Sequence, residues 1–123
     1  MGIIWYVAGG SAVGGVLRYA LGGWIARHSP GFPLGTLLIN VTGSFLLGWL
    51  MRWSLGTPAI SPEWRAALTI GLCGGYTTFS TFSYETMKLL QDGEWGRATL
   101  YAGLSIFVSL AAVFAGWAAG RVG

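Results

Sequence analysis

Charge is what this sequence has least of. Asp, Glu, Lys and Arg make up 9% of its 123 residues, against roughly 25% in an ordinary soluble domain. That is too little to cover a soluble surface. Cysteine is nearly absent too. Cys73 stands alone, which excludes an intramolecular disulfide and a paired-thiol metal site within one chain. Lying inside an apolar run, it reads as a small buried hydrophobe. His28 is the single histidine, in a Pro-rich turn, and it lacks companions for a ligand set or a proton relay. No His/Cys/Asp/Glu cluster suits a catalytic metal. A Ser–His–Asp arrangement is equally implausible, because His28 and the acids fall in loops or at segment ends. An enzyme is not expected. The net charge of +3 comes from basic residues scattered singly between apolar runs, so no basic patch invites nucleic acid. The first apolar run has no charged side chain before it and no clear small-residue cleavage site. It reads as a first transmembrane helix rather than a cleaved signal peptide.

What is present fits a bilayer. Hydrophobic residues make up 54% of the chain, and there are 21 glycines, seven Trp and five Tyr. Mean hydropathy is +0.62. Glycine faces allow close helix approach in lipid, and Trp and Tyr furnish interfacial belts. The expected fold is an all-α integral membrane protein with four transmembrane helices in one domain, residues 1–123. The spans lie at about 3–26, 34–51, 66–90 and 98–120, and the first, about 24 residues, can cross a core of ~30 Å. Gly10 and Gly14 have the small-xxx-small spacing that accepts a second helix. Pro33 stands where a helix can begin. Ser61-Pro62-Glu63 has the cap, proline and early acid of another helix start.

The functional centre is expected at Gly71–Glu85, GLCGGYTTFSTFSYE. A helix interior facing lipid should be apolar and unbroken, since lipid offers backbone groups no partners. This stretch carries Gly74 and Gly75, then five hydroxyl residues interleaved with Phe79 and Phe82. A break at Gly74-Gly75 is predicted, giving two half-helices whose free carbonyls and N–H groups suit ion sites. Two further polar stripes could face it. Thr36, Asn40 and Gly43/Ser44 share one face of the second span, and Tyr101, Ser105 and Ser109 share one face of the fourth. Asn40 is either interhelical glue or an amide donor to a passing anion. Arg18 either snorkels to the headgroups or shapes an electropositive vestibule. Phe79 and Phe82, at i and i+3, are packing aromatics or rings presenting positive edges to an anion.

Four spans place both termini on one side, with Arg52, Arg65, Arg121 and the α-amino group. Arg18, Arg27, Lys88 and Arg97 lie on the other. Three basic side chains against four is near balance, so the positive-inside rule gives almost no instruction on orientation. Such a chain can insert both ways and pair antiparallel. A lining of hydroxyls, one amide and a phenol suits a small dehydrated ion, bound weakly enough to be released. The competing reading is a proton-coupled small-molecule exporter of the small four-helix dual-topology type. It needs an intramembrane carboxylate relay. The only acid within a span is Glu85, near the end of the third.

Three blocks resemble the Fluc (CrcB) fluoride channels. They are the glycine-rich run from Gly10 through Gly14-Gly15-Val16-Leu17-Arg18-Tyr19, PLGTLLINVTGSFLLG at Pro33–Gly48, and GLCGGYTTFSTFSYE at Gly71–Glu85. The resemblance covers all four spans. It implies an antiparallel dual-topology homodimer in the plasma membrane, with two fluoride pores and passive fluoride export. It also implies a central structural Na⁺ held by main-chain carbonyls of Gly74 and Thr77 from both subunits. Phe79 and Phe82 would be the ring-edge residues of the pore, Asn40 its amide, with Thr36 nearby. Ser80, Thr81 and Ser83 would supply hydroxyls, with Glu85 at the end of the track. Tyr101, Ser105 and Ser109 would line the fourth span's side, and Arg18 would sit at a vestibule.

Overall fold

The computed structural model describes residues 2–120, which leaves Arg121 outside the described residues. Four helical rods run along the chain, and the described residues contain no strand. The first is α1, Gly2–Arg27, closed by a basic residue in its last turn, where the helix dipole favours positive charge. The second is α2, Leu34–Leu55. The third is assembled from α3, Pro62–Ala66, a wide π-helical stretch Ala67–Cys73, one turn α4, Gly74–Tyr76, and α5, Phe79–Gln91. The fourth is α6, Trp95–Ala119. By length and composition, α2 and α6 are the helices apolar enough to cross a membrane.

Local signals account for most ends. Pro33 immediately precedes α2. Ser61 caps α3, its hydroxyl accepting the Trp64 N–H at 3.2 Å, with Pro62 and Glu63 in the first turn. The second rod runs past the expected end at Met51. The Arg52 guanidinium lies 5.1 Å from the Trp117 ring centroid, so its charge is absorbed on α6 and the helix continues to Leu55.

The rods pack through glycine. A Cβ on Gly10 or Gly14 would fall on the carbonyl of Ala67 or Leu72, so α1 lies directly against the third rod, as the small-xxx-small spacing predicts. Gly48 and Gly116 do the same for α2 and α6, meeting the carbonyls of Val113 and Phe45. These obstacles are backbone and cannot rotate away. Gly116→Val is therefore expected to destabilise the fold by about 1–3 kcal/mol, the usual cost of overpacking. Thermal unfolding in detergent should show a lower midpoint. Gly103→Ala, where the added Cβ meets nothing within 4 Å, should not lower it.

Candidate functional site

The third rod breaks, but not where the glycines suggest. Gly74 is helical, with φ −64° and ψ −38°, and the helix continues through Tyr76. Gly75 is small because Ser11 of α1 lies against it, its Cβ position being 2.7 Å from the Ser11 carbonyl oxygen. The chain becomes extended at Thr77 (ψ 157°) and Thr78 (φ −149°, ψ 123°). Its cause is a side chain from another helix. Asn40 Oδ1 accepts the Thr78 N–H at 2.9 Å, and Asn40 Nδ2 donates to the Thr78 carbonyl at 3.0 Å. One primary amide thus satisfies both backbone polar groups of one residue. The Thr78 hydroxyl then caps α5 by accepting the Thr81 N–H at 3.2 Å.

These bonds free two carbonyls. In a continuous helix the Thr78 N–H would bond Gly74 and the Thr81 N–H would bond Thr77. The first goes to Asn40 and the second to the Thr78 hydroxyl. Of the two carbonyls between them, that of Gly75 accepts Arg18 Nε at 3.2 Å. Arg18 therefore braces the break as well as facing a cavity. Among the described residues no group of three His, Cys, Asp or Glu could hold a metal. Freed carbonyls are the oxygen donors this region offers a cation.

Asn40, Thr77, Phe79, Phe82, Ser105 and Ser109 line one cavity of about 590 Å³, with Gly74, Ser44 and Cys73 beside them. The Ser105 and Ser109 hydroxyl oxygens are buried and have no partner. Helical Ser and Thr commonly bond the carbonyl one turn back. Thr42, Thr69, Ser83 and Thr86 do so here. Ser105 and Ser109, which line the cavity, instead leave their hydroxyls buried and unbonded, and an unmet buried hydroxyl costs about 1–3 kcal/mol. Asn40, with one amide N–H given to Thr78, keeps a second N–H on the same wall.

A second cavity, about 630 Å³, is lined by Arg18, Arg27, Thr36, Thr81 and Glu85. Thr78 lines both cavities and stands between them. Tyr101, fully buried, donates its hydroxyl to Glu85 Oε1 at 2.9 Å. Phe82 joins the two ends, its ring centroid 5.5 Å from Phe79 and 5.2 Å from Tyr101.

The expected residues thus divide. Arg18, Thr36, Thr81 and Glu85 gather at the second cavity. Asn40, Gly74, Thr77, the two phenylalanines and the two serines of α6 gather at the first. Ser80 and Ser83 reach neither. Both are exposed on α5, Ser83 bonding the Phe79 carbonyl at 3.0 Å and Ser80 lying 3.3 Å from the Thr78 hydroxyl. Thr78 is the residue that sequence reading passed over. Its signal was a Thr three residues before Thr81, the spacing of a helix cap.

Comparison with known proteins bears on this arrangement. A family model described as CrcB-like protein, Camphor Resistance (CrcB), matches residues 5–117. A Thermus thermophilus protein named Fluoride-specific ion channel FluC is 50% identical over 115 residues, covering 93% of this chain and 90% of that protein. Proteins of the same name from Geobacter metallireducens and Rhizobium meliloti are 51% and 46% identical, covering 85% and 96% of this chain. They cover 86% and 95% of their own lengths.

Proposed function

The chain belongs to the CrcB-like protein family, and from that premise we propose that it is a fluoride-selective channel for passive fluoride export across the plasma membrane. One observation carries the reading. The buried Ser105 and Ser109 hydroxyls, a spare Asn40 N–H and the Phe79 and Phe82 rings converge on one cavity whose lining includes no charged side chain. A fluoride ion entering it exchanges water for hydroxyl and amide donors and for the positive edges of phenyl rings. None of these groups carries a full charge, so the ion is held weakly enough to leave. At the second cavity Arg18 and Arg27 draw the anion in, and Glu85 is engaged by Tyr101. The relatives' names denote a channel, and the chain is read as one rather than as an enzyme.

In this reading four spans cross the membrane and two copies pair antiparallel. Support comes from the near balance of basic residues and from Phe79, which is 78% exposed in the single chain although it lines the cavity. A tag at the C-terminus should be accessible from both faces of the membrane, and a single orientation would sink the pairing. The freed carbonyls of Gly74 and Thr77 fit a hard cation, and a second copy doubles their number at the shared axis. Na⁺ held by these carbonyls would supply a fixed positive charge at the break. Replacing sodium by N-methyl-D-glucamine is expected to lower the dimer fraction and the thermal midpoint. The loss is about 2.7 kcal/mol where sodium had stood a hundredfold above its dissociation constant. Light scattering in detergent checks this, and an unchanged dimer removes sodium from the account.

The decisive test of the channel is fluoride efflux from liposomes, with valinomycin and K⁺ as the charge shunt and no pH gradient. Rapid efflux is expected. Efflux that requires a pH gradient points to the proton-coupled exporter, and no efflux rejects the channel.

A further inference from the structure

We infer that Phe32, in the loop between α1 and α2, is a positioning residue of the anion path that sets the orientation of the Tyr101 hydroxyl. The inference rests on the channel reading above. Four rings form a continuous column, Phe79, Phe82, Tyr101 and Phe32, with successive centroids 5.5, 5.2 and 5.6 Å apart. The first two line the cavity at the break, and the third bonds Glu85 in the other cavity. Phe32 ends the column, meeting Tyr101 edge to face at an interplanar angle of 85°.

Tyr101 is fully buried, so its ring is oriented by what packs on it, and Phe82 and Phe32 are its aromatic neighbours. Edge-to-face contact restrains the plane of a ring. A phenol O–H lies close to the plane of its ring, so turning the ring leaves the oxygen in place but aims the hydrogen away from Glu85 Oε1.

Phe32 is itself held. Gly31 adopts φ +90°, a backbone conformation natural to glycine. The Gly31 carbonyl accepts Arg97 Nη1 at 3.1 Å. Arg97 and Tyr101 stand at i and i+4 on α6, one above the other. One turn of α6 thus grips the loop at two points, a guanidinium on Gly31 and a phenol ring on Phe32. The plainer account is a loop packed for stability alone, with no bearing on the ion. The two accounts differ in whether the effect of Phe32 passes through the Tyr101 hydroxyl.

A double-mutant cycle in fluoride-loaded liposomes separates them. Phe32→Leu is expected to slow efflux about three- to tenfold, the scale of a lost aromatic pair. Phe32→Tyr, which keeps a ring, should recover most of the rate. In a Tyr101→Phe background the hydroxyl is already gone, and Phe32→Leu should then change efflux by less than about twofold. Arg97→Gln loosens the strap from its exposed end and should give a smaller loss with the same dependence on the hydroxyl, which keeps the test open if the Leu variant misfolds. Equal fold losses in both backgrounds, or full efflux from Phe32→Leu beside a conducting wild type, overturn the inference. A wild type that conducts no fluoride overturns the channel reading first, and the inference with it.

Discussion

Replacing Phe79 and Phe82 together by Ile is expected to cut fluoride efflux at least about a hundredfold, a barrier increase of about 2.7 kcal/mol. Dimer formation should survive. A small anion entering a low-dielectric cavity loses hydration that only oriented donors can replace. Ile fills much of the same apolar space but has no ring quadrupole, so it presents no positive edge. The two single variants should differ in kind. Phe79 is 78% exposed in the single chain, so Phe79→Ile should slow efflux and leave the chain's own unfolding midpoint nearly unchanged. Phe82 also packs on the fully buried Tyr101, so Phe82→Ile should slow efflux and also destabilise the fold by the ~0.5–1.5 kcal/mol of that aromatic contact, read as a lower midpoint. Efflux from the double variant within threefold of wild type would remove both rings from the ion's path. Loss of folded protein in Phe79→Ile would instead make that ring a packing aromatic.

Legibility from sequence followed the range of the interactions. The rods and the two polar stripes rest on spacing within one helix, and periodicity reports that directly. Tyr101, Ser105 and Ser109 share a face of α6 as expected, yet they serve different cavities, the serines one and the Tyr101–Glu85 pair the other. A stripe eight residues long extends about 12 Å, enough to reach from one cavity to the next. The same holds for Thr36 and Asn40 on α2. The break was expected at Gly74-Gly75 because glycine permits one. Permission is not cause, and both residues remain helical, outside the extended segment, with Gly75 packed against Ser11 of α1. The cause is Asn40, 38 positions away from Thr78, and no local pattern announces that pairing. The bond from Arg18 to the Gly75 carbonyl, across 57 positions, is equally silent in the sequence. Ser80 and Ser83 looked equivalent to Thr81 as hydroxyls, but only Thr81 turns inward once the Thr78 cap fixes the start of α5.

Asn40 carries the second large expectation, because two roles meet in its amide. Asn40→Ala leaves the N–H and carbonyl of Thr78 without partners, and an unmet, part-buried backbone group costs about 1–3 kcal/mol. The chain can recover one of these bonds by extending α5 or α4 through Thr78, which closes the break and returns a donor to Gly74 or Thr77. Asn40→Ala should therefore lower the thermal midpoint, weaken any sodium dependence of the dimer and slow efflux at least tenfold. Asn40→Asp retains an acceptor for the Thr78 N–H but sets a second carboxylate oxygen against the Thr78 carbonyl. It also puts a negative charge in the wall of the anion's cavity. At about 4 Å and an effective dielectric near 20 that repulsion is about 4 kcal/mol. Water in an open cavity reduces it, leaving one to two further decades of slowing beyond the alanine variant. The order wild type, Ala, Asp is the signature of clamp and pathway together. If the alanine variant conducts and melts as wild type while Asp blocks, Asn40 faces the ion but the break stands without it. If both variants conduct normally, the amide is only glue between α2 and the third rod, and the ion passes elsewhere.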